Sequence, residues 1–248
     1  MTEIEFGGSG QGIVLLHGLM SRATTWWTPA QWLVRYGRVV AVDARGHGRN
    51  PCPSGPWRTE DFVDDAAEVI ERLGLGPAVV IGHSMGGLHA WGLAAKRPDL
   101  VCALVVEDVV PDNRGKSVED WKWYFDAWPA PFQSLAHVRA FFGTERVEEY
   151  FEEREDGYHL IARLEDLYEI AGEWGRRDYW DHVDRVRAPM LVIEAGRGGM
   201  REGQMAEVAR RTGGRYVRVE ESGHSVHDDA PDVYRGAVEA FLSDVLSR

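Results

Sequence analysis

Short apolar segments alternate with longer amphipathic segments along most of this 248-residue chain. The apolar segments are rich in Val, Ile and Leu without polar alternation, which is typical of parallel strands that are covered on both faces. Strands are predicted at 13–17, 38–43, 78–83, 101–107, 190–195 and 215–220. Helices are predicted at 59–73, 87–97, 202–211 and 231–246. This order predicts an α/β fold with a doubly wound, mostly parallel sheet.

One region interrupts the alternation. The pattern of residues 111–182 predicts no convincing buried strand and favours helical stretches. This region holds 15 of the 26 aromatic residues. We therefore predict a core made of 1–110 and 183–248, and a helical, aromatic-rich cap at 111–182. The aromatic side chains can form the cap's own core, line an apolar substrate pocket, or do both. The predicted pocket residues are Trp123, Trp128 and Phe142.

The most specific motif lies in the segment AVVIGHSMGGLHAWGLA, in which Gly82, Ser84 and Gly86 form G-x-S-x-G. An apolar strand precedes the motif and a small-residue helix follows it. In this setting the motif indicates a nucleophilic serine on a tight strand-to-helix turn, with flanking glycines that relieve crowding. The backbone N–H of Met85 is then free to donate to a developing oxyanion. An ordinary glycine-rich turn is the alternative interpretation.

Composition limits the classes of partner. Lys and Arg number 28 against 40 Asp and Glu, a formal net charge of −12, which argues against nucleic-acid and anionic-membrane surfaces. Cys52 and Cys102 are too few for a disulfide framework and fit a reduced, cytoplasmic protein. The first residues lack the pattern of a signal peptide, and no apolar run approaches the ~20 residues of a membrane span. We expect a small-molecule substrate and leave the oligomeric state open.

These features resemble the α/β-hydrolase family over nearly the whole chain. VLLHGLMS is similar to the family's His-Gly segment, which implies that the amide of Leu19 is a second oxyanion donor. DARGHGRN is similar to the family's Asp-x-Arg-Gly-His-Gly segment, which implies architectural roles for Arg45 and His47. The resemblance also implies a cap inserted after the sixth strand of the family's sheet, which corresponds to the strand predicted at 101–107.

The segment GHSVHDDAPDVY resembles the family's late Gly-His segment, which implies that His224 is the general base. A serine hydroxyl is a weak nucleophile until a neighbouring imidazole can take its proton. A capping or solvent-facing role is the alternative for His224. His227 is predicted to lie outside the triad, and a metal site formed by the two histidines lacks an evident carboxylate partner.

The carboxylate that should orient His224 is absent from its usual place. In the family it follows the strand predicted at 190–195, where this chain has GRGG. Asp108 follows the strand that neighbours it in the family's sheet order, and adjacent strands lie only ~4.8 Å apart. We therefore predict Asp108 as the triad acid, although it can also serve only to end its strand. The alternatives are Glu194, Glu107, Glu202 and no acid at all.

Small bacterial esterases of the YbfF type are similar in this placement of the acid and in the Gly-His-x-Val-His ending. The predicted activity is hydrolysis of a carboxylic ester, thioester or lactone with an apolar or aromatic acyl group. It proceeds through an acyl-serine and requires no metal or organic cofactor. The alternatives are carbon–carbon bond hydrolysis of a ring-fission product, and a ligand-binding receptor with slow turnover on the same fold.

Overall fold

The computed structural model describes residues 2–50, 55–116, 118–143 and 146–247, so Cys52 lies outside the described residues. Strands are formed by β1 (Thr2–Gly7), β2 (Gly12–Leu16), β3 (Arg38–Asp43), β4 (Ala78–His83), β5 (Val101–Glu107), β6 (Phe151–Arg154), β7 (Gly157–Leu160), β8 (Met190–Ala195) and β9 (Arg215–Val219). A seven-stranded sheet has the order β1-β3-β2-β4-β5-β8-β9. Only β1 runs antiparallel to its neighbour in this sheet.

Helices cover both faces of the sheet. They are α1 (Trp27–Leu33), α2 (Thr59–Leu73), α3 (Met85–Lys96), α4 (Val118–Asp126), α5 (Leu135–Phe142), α6 (Leu164–Trp174), α7 (Trp180–Arg185), α8 (Gln204–Thr212), α9 (Val226–Asp229) and α10 (Pro231–Leu246). Short 3-10 turns occur at Ala23–Trp26, Pro98–Leu100 and Arg146–Tyr150. Two apolar clusters lie on opposite faces of the sheet, one against α2 and α3 and one against α1 and α10. The α/β fold with a mostly parallel sheet is therefore confirmed.

All six predicted strands belong to this sheet, and β1 is a strand that the prediction did not include. Its sequence TEIEFG alternates polar and apolar residues, and its residues are mostly half-buried. Such alternation is typical of a strand with one covered face, unlike the continuous apolar runs of the central strands.

Residues 111–182, called here the inserted segment, are not entirely helical as predicted. The strands β6 and β7 form a separate antiparallel hairpin. In β6 only Phe151 is buried and the following residues are exposed, so the strand has no apolar run that the sequence pattern could reveal. Some aromatic residues of the segment form apolar clusters of their own, one around Phe132 and Phe151 and another around Phe125 and Leu167, whereas Trp174 belongs to the main core.

The strand register aligns the carboxyl ends of three neighbouring strands. His83 at the end of β4 is opposite Glu107 at the end of β5, and Glu107 is opposite Ile193 near the end of β8. The residues that follow these strands therefore meet at one edge of the sheet. Ligands of open parallel α/β sheets bind at this edge.

Candidate active site

Ser84 occupies a strained turn between β4 and α3. Its backbone has φ 51° and ψ −119°, which non-glycine residues seldom adopt. A Cβ on Gly82 would lie 2.3 Å from the carbonyl oxygen of Gly86, and one on Gly86 would lie 2.1 Å from that of Leu16. Side chains at these two positions would prevent the turn. The G-x-S-x-G spacing therefore follows from close backbone packing.

Asp108 follows β5 and is completely buried. Its Oδ2 accepts a hydrogen bond from Nδ1 of His224 at 2.6 Å. Its Oδ1 accepts from the amide of Ala195 at 3.1 Å, and its own amide donates to the carbonyl of Ile193 at 2.8 Å. These bonds hold Asp108 against β8, with Oδ2 of its carboxylate on the imidazole of His224.

The glycines after β8 make room for this carboxylate. A Cβ on Gly198 would lie only 2.1 Å from Oδ2 of Asp108. The place after β8 where the α/β-hydrolase family that the sequence resembles usually has a carboxylate is thus bordered directly by the carboxylate of Asp108. The sequence GRGG accommodates an acid that comes from the neighbouring strand.

The other carboxylates that the sequence left open have different partners. Glu194 accepts from the hydroxyl of Tyr216 at 2.5 Å and from Nη1 of Arg218 at 3.1 Å. Glu107 binds His227, as described below, and Glu202 is exposed. Of the four candidates, Asp108 is the one hydrogen-bonded to His224.

The loop after β2 packs against the serine turn. A Cβ on Gly18 would lie 3.3 Å from Cβ of Ser84, so the loop runs beside this residue. The ring of His17 anchors the loop, since Nδ1 donates to the carbonyl of Gly18 at 2.7 Å and Nε2 accepts from the amide of Ala44 at 3.0 Å. Burial lowers the pKa of His17 to about 4, so this ring is neutral at pH 7.

The two predicted oxyanion donors belong to elements that flank Ser84. Leu19 lies in the loop after β2, and Met85 is the first residue of α3. The first N–H groups of a helix have no partner within that helix, so the amide of Met85 has none in α3. Both residues line the cavity that contains Ser84 and His224.

This cavity has a volume of about 440 Å³ and opens at the sheet edge. Its core-side wall includes the serine turn, the loop at Leu19 and the glycines after β8. The inserted segment supplies its aromatic wall with Trp121, Tyr124, Phe125, Tyr150 and Trp174. Lys116 adds a positively charged side chain to a lining that is otherwise mostly apolar.

The three side chains that were predicted to line the pocket lie elsewhere. Trp123 is 78% exposed. Trp128 and Phe142 pack edge to face at 4.7 Å inside the inserted segment. The helical spacing of Trp121, Tyr124 and Phe125 places these three on the face of α4 that meets the cavity, whereas Trp123 points away. That spacing is the sequence signal for the observed wall.

Arg45 and His47 have structural surroundings. Arg45 forms two 2.7 Å hydrogen bonds to the carboxylate of Asp65 on α2. His47 is buried and its Nδ1 donates to the carbonyl of Arg45 at 2.9 Å. The structure thus places both side chains in contacts that hold the loop after β3, outside the lining of the cavity at Ser84.

A model of the alpha/beta hydrolase family matches residues 13–237, and the chain belongs to this family. It is therefore a hydrolase of the α/β-hydrolase type. The (E)-2-((N-methylformamido)methylene)succinate hydrolase of Acinetobacter baylyi is 26% identical to it, over 95% of this chain and 91% of that protein. An esterase of Mycobacterium tuberculosis is 30% identical, over 96% of this chain and 86% of that protein.

The fold is also that of known hydrolases. The crystal structure of E-2-(acetamidomethylene)succinate hydrolase superposes with a TM-score of 0.88, at 24% identity and with 97% of this chain and 94% of that chain covered. Among the described residues, no helix is both long and apolar enough to cross a membrane. In the same part of the chain, no group of three or more His, Cys, Asp or Glu side chains is arranged to hold a metal ion.

Proposed function

We propose that this protein is a serine hydrolase that cleaves a carboxylic ester, thioester or lactone. Ser84 attacks the acyl carbon, and His224 takes the serine proton and then delivers it to the leaving group. Asp108 orients His224 and stabilises its charged form. The amides of Leu19 and Met85 donate to the oxyanion of the tetrahedral intermediate. The more specific expectations, a YbfF-type esterase and a cytoplasmic location, stay predictions.

The observation that carries this proposal is the 2.6 Å hydrogen bond between His224 Nδ1 and Asp108 Oδ2 beside the strained Ser84 turn. A carboxylate on Nδ1 leaves Nε2 as the basic nitrogen, which is the tautomer that proton transfer from serine requires. Backbone strain at a buried turn is retained where the surrounding structure enforces it, and such turns cluster at reactive sites. Both features serve a nucleophilic serine.

The size and lining of the cavity support the choice of substrate. About 440 Å³ accommodates a small acyl group with its leaving group, and the aromatic wall from α4 and α6 favours apolar or aromatic acyl groups. The cavity lies between the core and the inserted segment, so the substrate reaches Ser84 beneath the side chains of Trp121 and Tyr124.

The test compares turnover of p-nitrophenyl acetate and butyrate by the wild type with that of Ser84→Ala, Asp108→Asn and Glu194→Gln. We expect kcat to fall by ~10⁶ without the serine and by ~10⁴ without the acid. Glu194→Gln should keep wild-type kcat, because Glu194 bonds to Tyr216 and Arg218. A steep loss in Glu194→Gln with an active Asp108→Asn would contradict the assignment of the acid.

A second candidate is hydrolysis of an amide bond in an unsaturated dicarboxylate. It is favoured by Lys116, a cationic side chain in the wall of the cavity, and by the succinate-derived compounds that the Acinetobacter relative's name specifies. Turnover of (E)-2-(acetamidomethylene)succinate in preference to the neutral esters would favour it. Tight binding of either compound class without turnover would instead favour the receptor interpretation. Turnover of dienoic ring-fission products would favour the carbon–carbon bond hydrolase.

A further inference from the structure

Two consecutive acids at the end of β5 bind two histidines that lie three positions apart. Asp108 binds Nδ1 of His224 at 2.6 Å. Glu107 binds Nδ1 of His227 at 2.8 Å through both carboxylate oxygens, and Oε1 also accepts from the amide of His227 at 3.0 Å. The end of β5 therefore holds the chain after β9 at two points. Asp108 binds the loop that contains His224, and Glu107 binds the following helix α9.

The second pair is buried more deeply than the first. Glu107 is completely buried and His227 is 4% exposed. Burial raises the pKa of Glu107, but the neighbouring His227 and the hydrogen bonds from its ring and amide outweigh burial and hold that pKa below its ordinary value, so the carboxylate is charged at pH 7. Replacing a buried carboxylate and its partner with apolar residues of similar volume is often neutral or stabilising for a fold. Stability alone therefore does not explain these two residues.

His83 adds a third contact at the same place. It directly precedes Ser84, and its Nε2 donates to the carbonyl of His224 at 2.9 Å. Burial lowers the pKa of His83 to about 3, so the ring is a neutral donor. The amide of Ser84 in turn donates to the carbonyl of Glu107 at 2.8 Å. The backbone of the nucleophile is thus bonded to Glu107, and the backbone of the base is bonded to the ring of His83.

We propose that Glu107 and His227 are positioning residues that hold the backbone of His224, so that its imidazole reaches Ser84 and Asp108 together. This inference rests on the proposed function. The lining of the cavity includes His224 but neither Glu107 nor His227, so the pair acts through His224 and does not contact substrate. The ring of His227 stacks on Trp26 at 4.7 Å, which fixes the pair to the core on its other side.

The test uses two substitutions at each position. Glu107→Met removes the acceptors but keeps the volume, whereas Glu107→Gln keeps one acceptor oxygen. Likewise His227→Leu removes the ring N–H that donates to Glu107. In His227→Asn, the side-chain amide N–H can donate to Glu107 in place of Nδ1. We expect the Met and Leu variants to lose kcat on the order of 10²-fold on p-nitrophenyl butyrate, because small displacements of a catalytic group have effects of this size. KM should stay within about twofold of wild type, and the Gln and Asn variants should recover most of kcat.

A second readout separates this inference from the proposed function. The low-field proton resonance of the His224–Asp108 hydrogen bond requires no turnover, and it should weaken in the Met and Leu variants and persist in the Gln and Asn variants. Glu194→Gln, which alters another buried acid of the sheet, should change neither kcat nor the resonance. If the Met or Leu variant is folded with kcat within about twofold of wild type and an unchanged resonance, the positioning role is refuted. Should those variants not fold, a Gln variant that is as impaired as Asp108→Asn would refute the role of the hydrogen bonds.

Discussion

At the scale of single residues, Asp108 combines burial with an unusual backbone. Its φ of 41° lies in the left-handed region, where non-glycine residues are uncommon. Glu107 is the last residue of β5, and the chain turns at Asp108, so the two side chains diverge. The turn at Asp108 directs its carboxylate toward His224, while that of Glu107 faces His227.

Sequence alone predicted Asp108 because the order of strands in the family's sheet brings the ends of the strands at 101–107 and 190–195 together. The sequence also predicted Ser84 as the nucleophile and His224 as the base, with Leu19 and Met85 as oxyanion donors. The sequence could not predict the pairing of Glu107 with His227, because no local pattern tells which buried acid contacts which histidine. That contact depends on the path of the loop between β9 and α10, over a separation of 120 residues along the chain.

Gly198→Ala should impair the proposed triad although it replaces none of the triad's three residues. The new Cβ would lie 2.1 Å from Oδ2 of Asp108, so the carboxylate or the loop has to move. We expect kcat on p-nitrophenyl butyrate to fall, by at most the ~10⁴-fold that loss of a triad acid causes. Gly236→Ala on α10, where a Cβ meets no atom within 4 Å, is the matched control and should keep wild-type kcat. Wild-type activity in Gly198→Ala would mean that the position of Asp108 tolerates displacement.

At the scale of elements, the helix α4 explains why Trp123, one of the three predicted pocket residues, does not line the cavity. Aromatic content marked the inserted segment correctly as a source of side chains for the cavity, but content does not say which helix face meets it. Trp121, Tyr124 and Phe125 share one face by their helical spacing, and Trp123 lies on the opposite one. The orientation of α4 is set by contacts with α6, which the local sequence does not encode.

Phe125 on α4 also forms part of a second cavity. That cavity measures about 330 Å³ and is lined mostly by aromatic and aliphatic residues of the inserted segment, including Phe132 and Phe151, and also by charged side chains such as Arg163. Phe125 lines both cavities and is 3% exposed. Its ring therefore separates the space at Ser84 from the space behind it, and its removal would join them.

Phe125→Ala should shift the preference of the enzyme toward longer acyl chains. Each methylene that enters the joined cavity adds up to ~0.8 kcal/mol of binding free energy. We expect the ratio of kcat/KM for p-nitrophenyl octanoate to that for the butyrate to rise at least about tenfold over the wild-type ratio. Phe142→Ala removes the same side chain from the inserted segment away from the cavity at Ser84, and should leave the ratio unchanged. Equal ratios in all three proteins would show that Phe125 does not limit chain length.

At the scale of the whole molecule, the central sheet was predictable and the attachment of the inserted segment was not. The central strands are continuous apolar runs, and the parallel order follows from the helices between them. The segment is joined to the core by apolar packing of Ile170, Ala171 and Trp174, and by polar contacts between distant residues. Glu173 on α6 accepts from the amide of Thr59 at 2.7 Å and from its hydroxyl at 2.9 Å, at the start of α2.

This attachment should make one buried carboxylate important for both stability and activity. Glu173 is 9% exposed, and Arg177 of the same region bonds to Glu60 of α2 at 2.7 Å. A carboxylate at the first turn of a helix is stabilised by the helix dipole and by its unpaired N–H groups. Glu173→Gln keeps the shape but removes the charge, so the free energy of unfolding should fall by about 1.5–3 kcal/mol, the value of hydrogen bonds to charged groups.

Urea denaturation of Glu173→Gln and of Glu169→Gln, an exposed change on the same helix, provides the comparison. Glu169→Gln should stay within about 0.5 kcal/mol of wild type, as surface substitutions do. Because the inserted segment forms the aromatic wall over Ser84, KM for p-nitrophenyl butyrate should rise in Glu173→Gln while Ser84 stays reactive. A lower stability with an unchanged KM would instead mean that the wall keeps its position without this contact, and that α4 and α6 are held over the sheet by apolar packing alone.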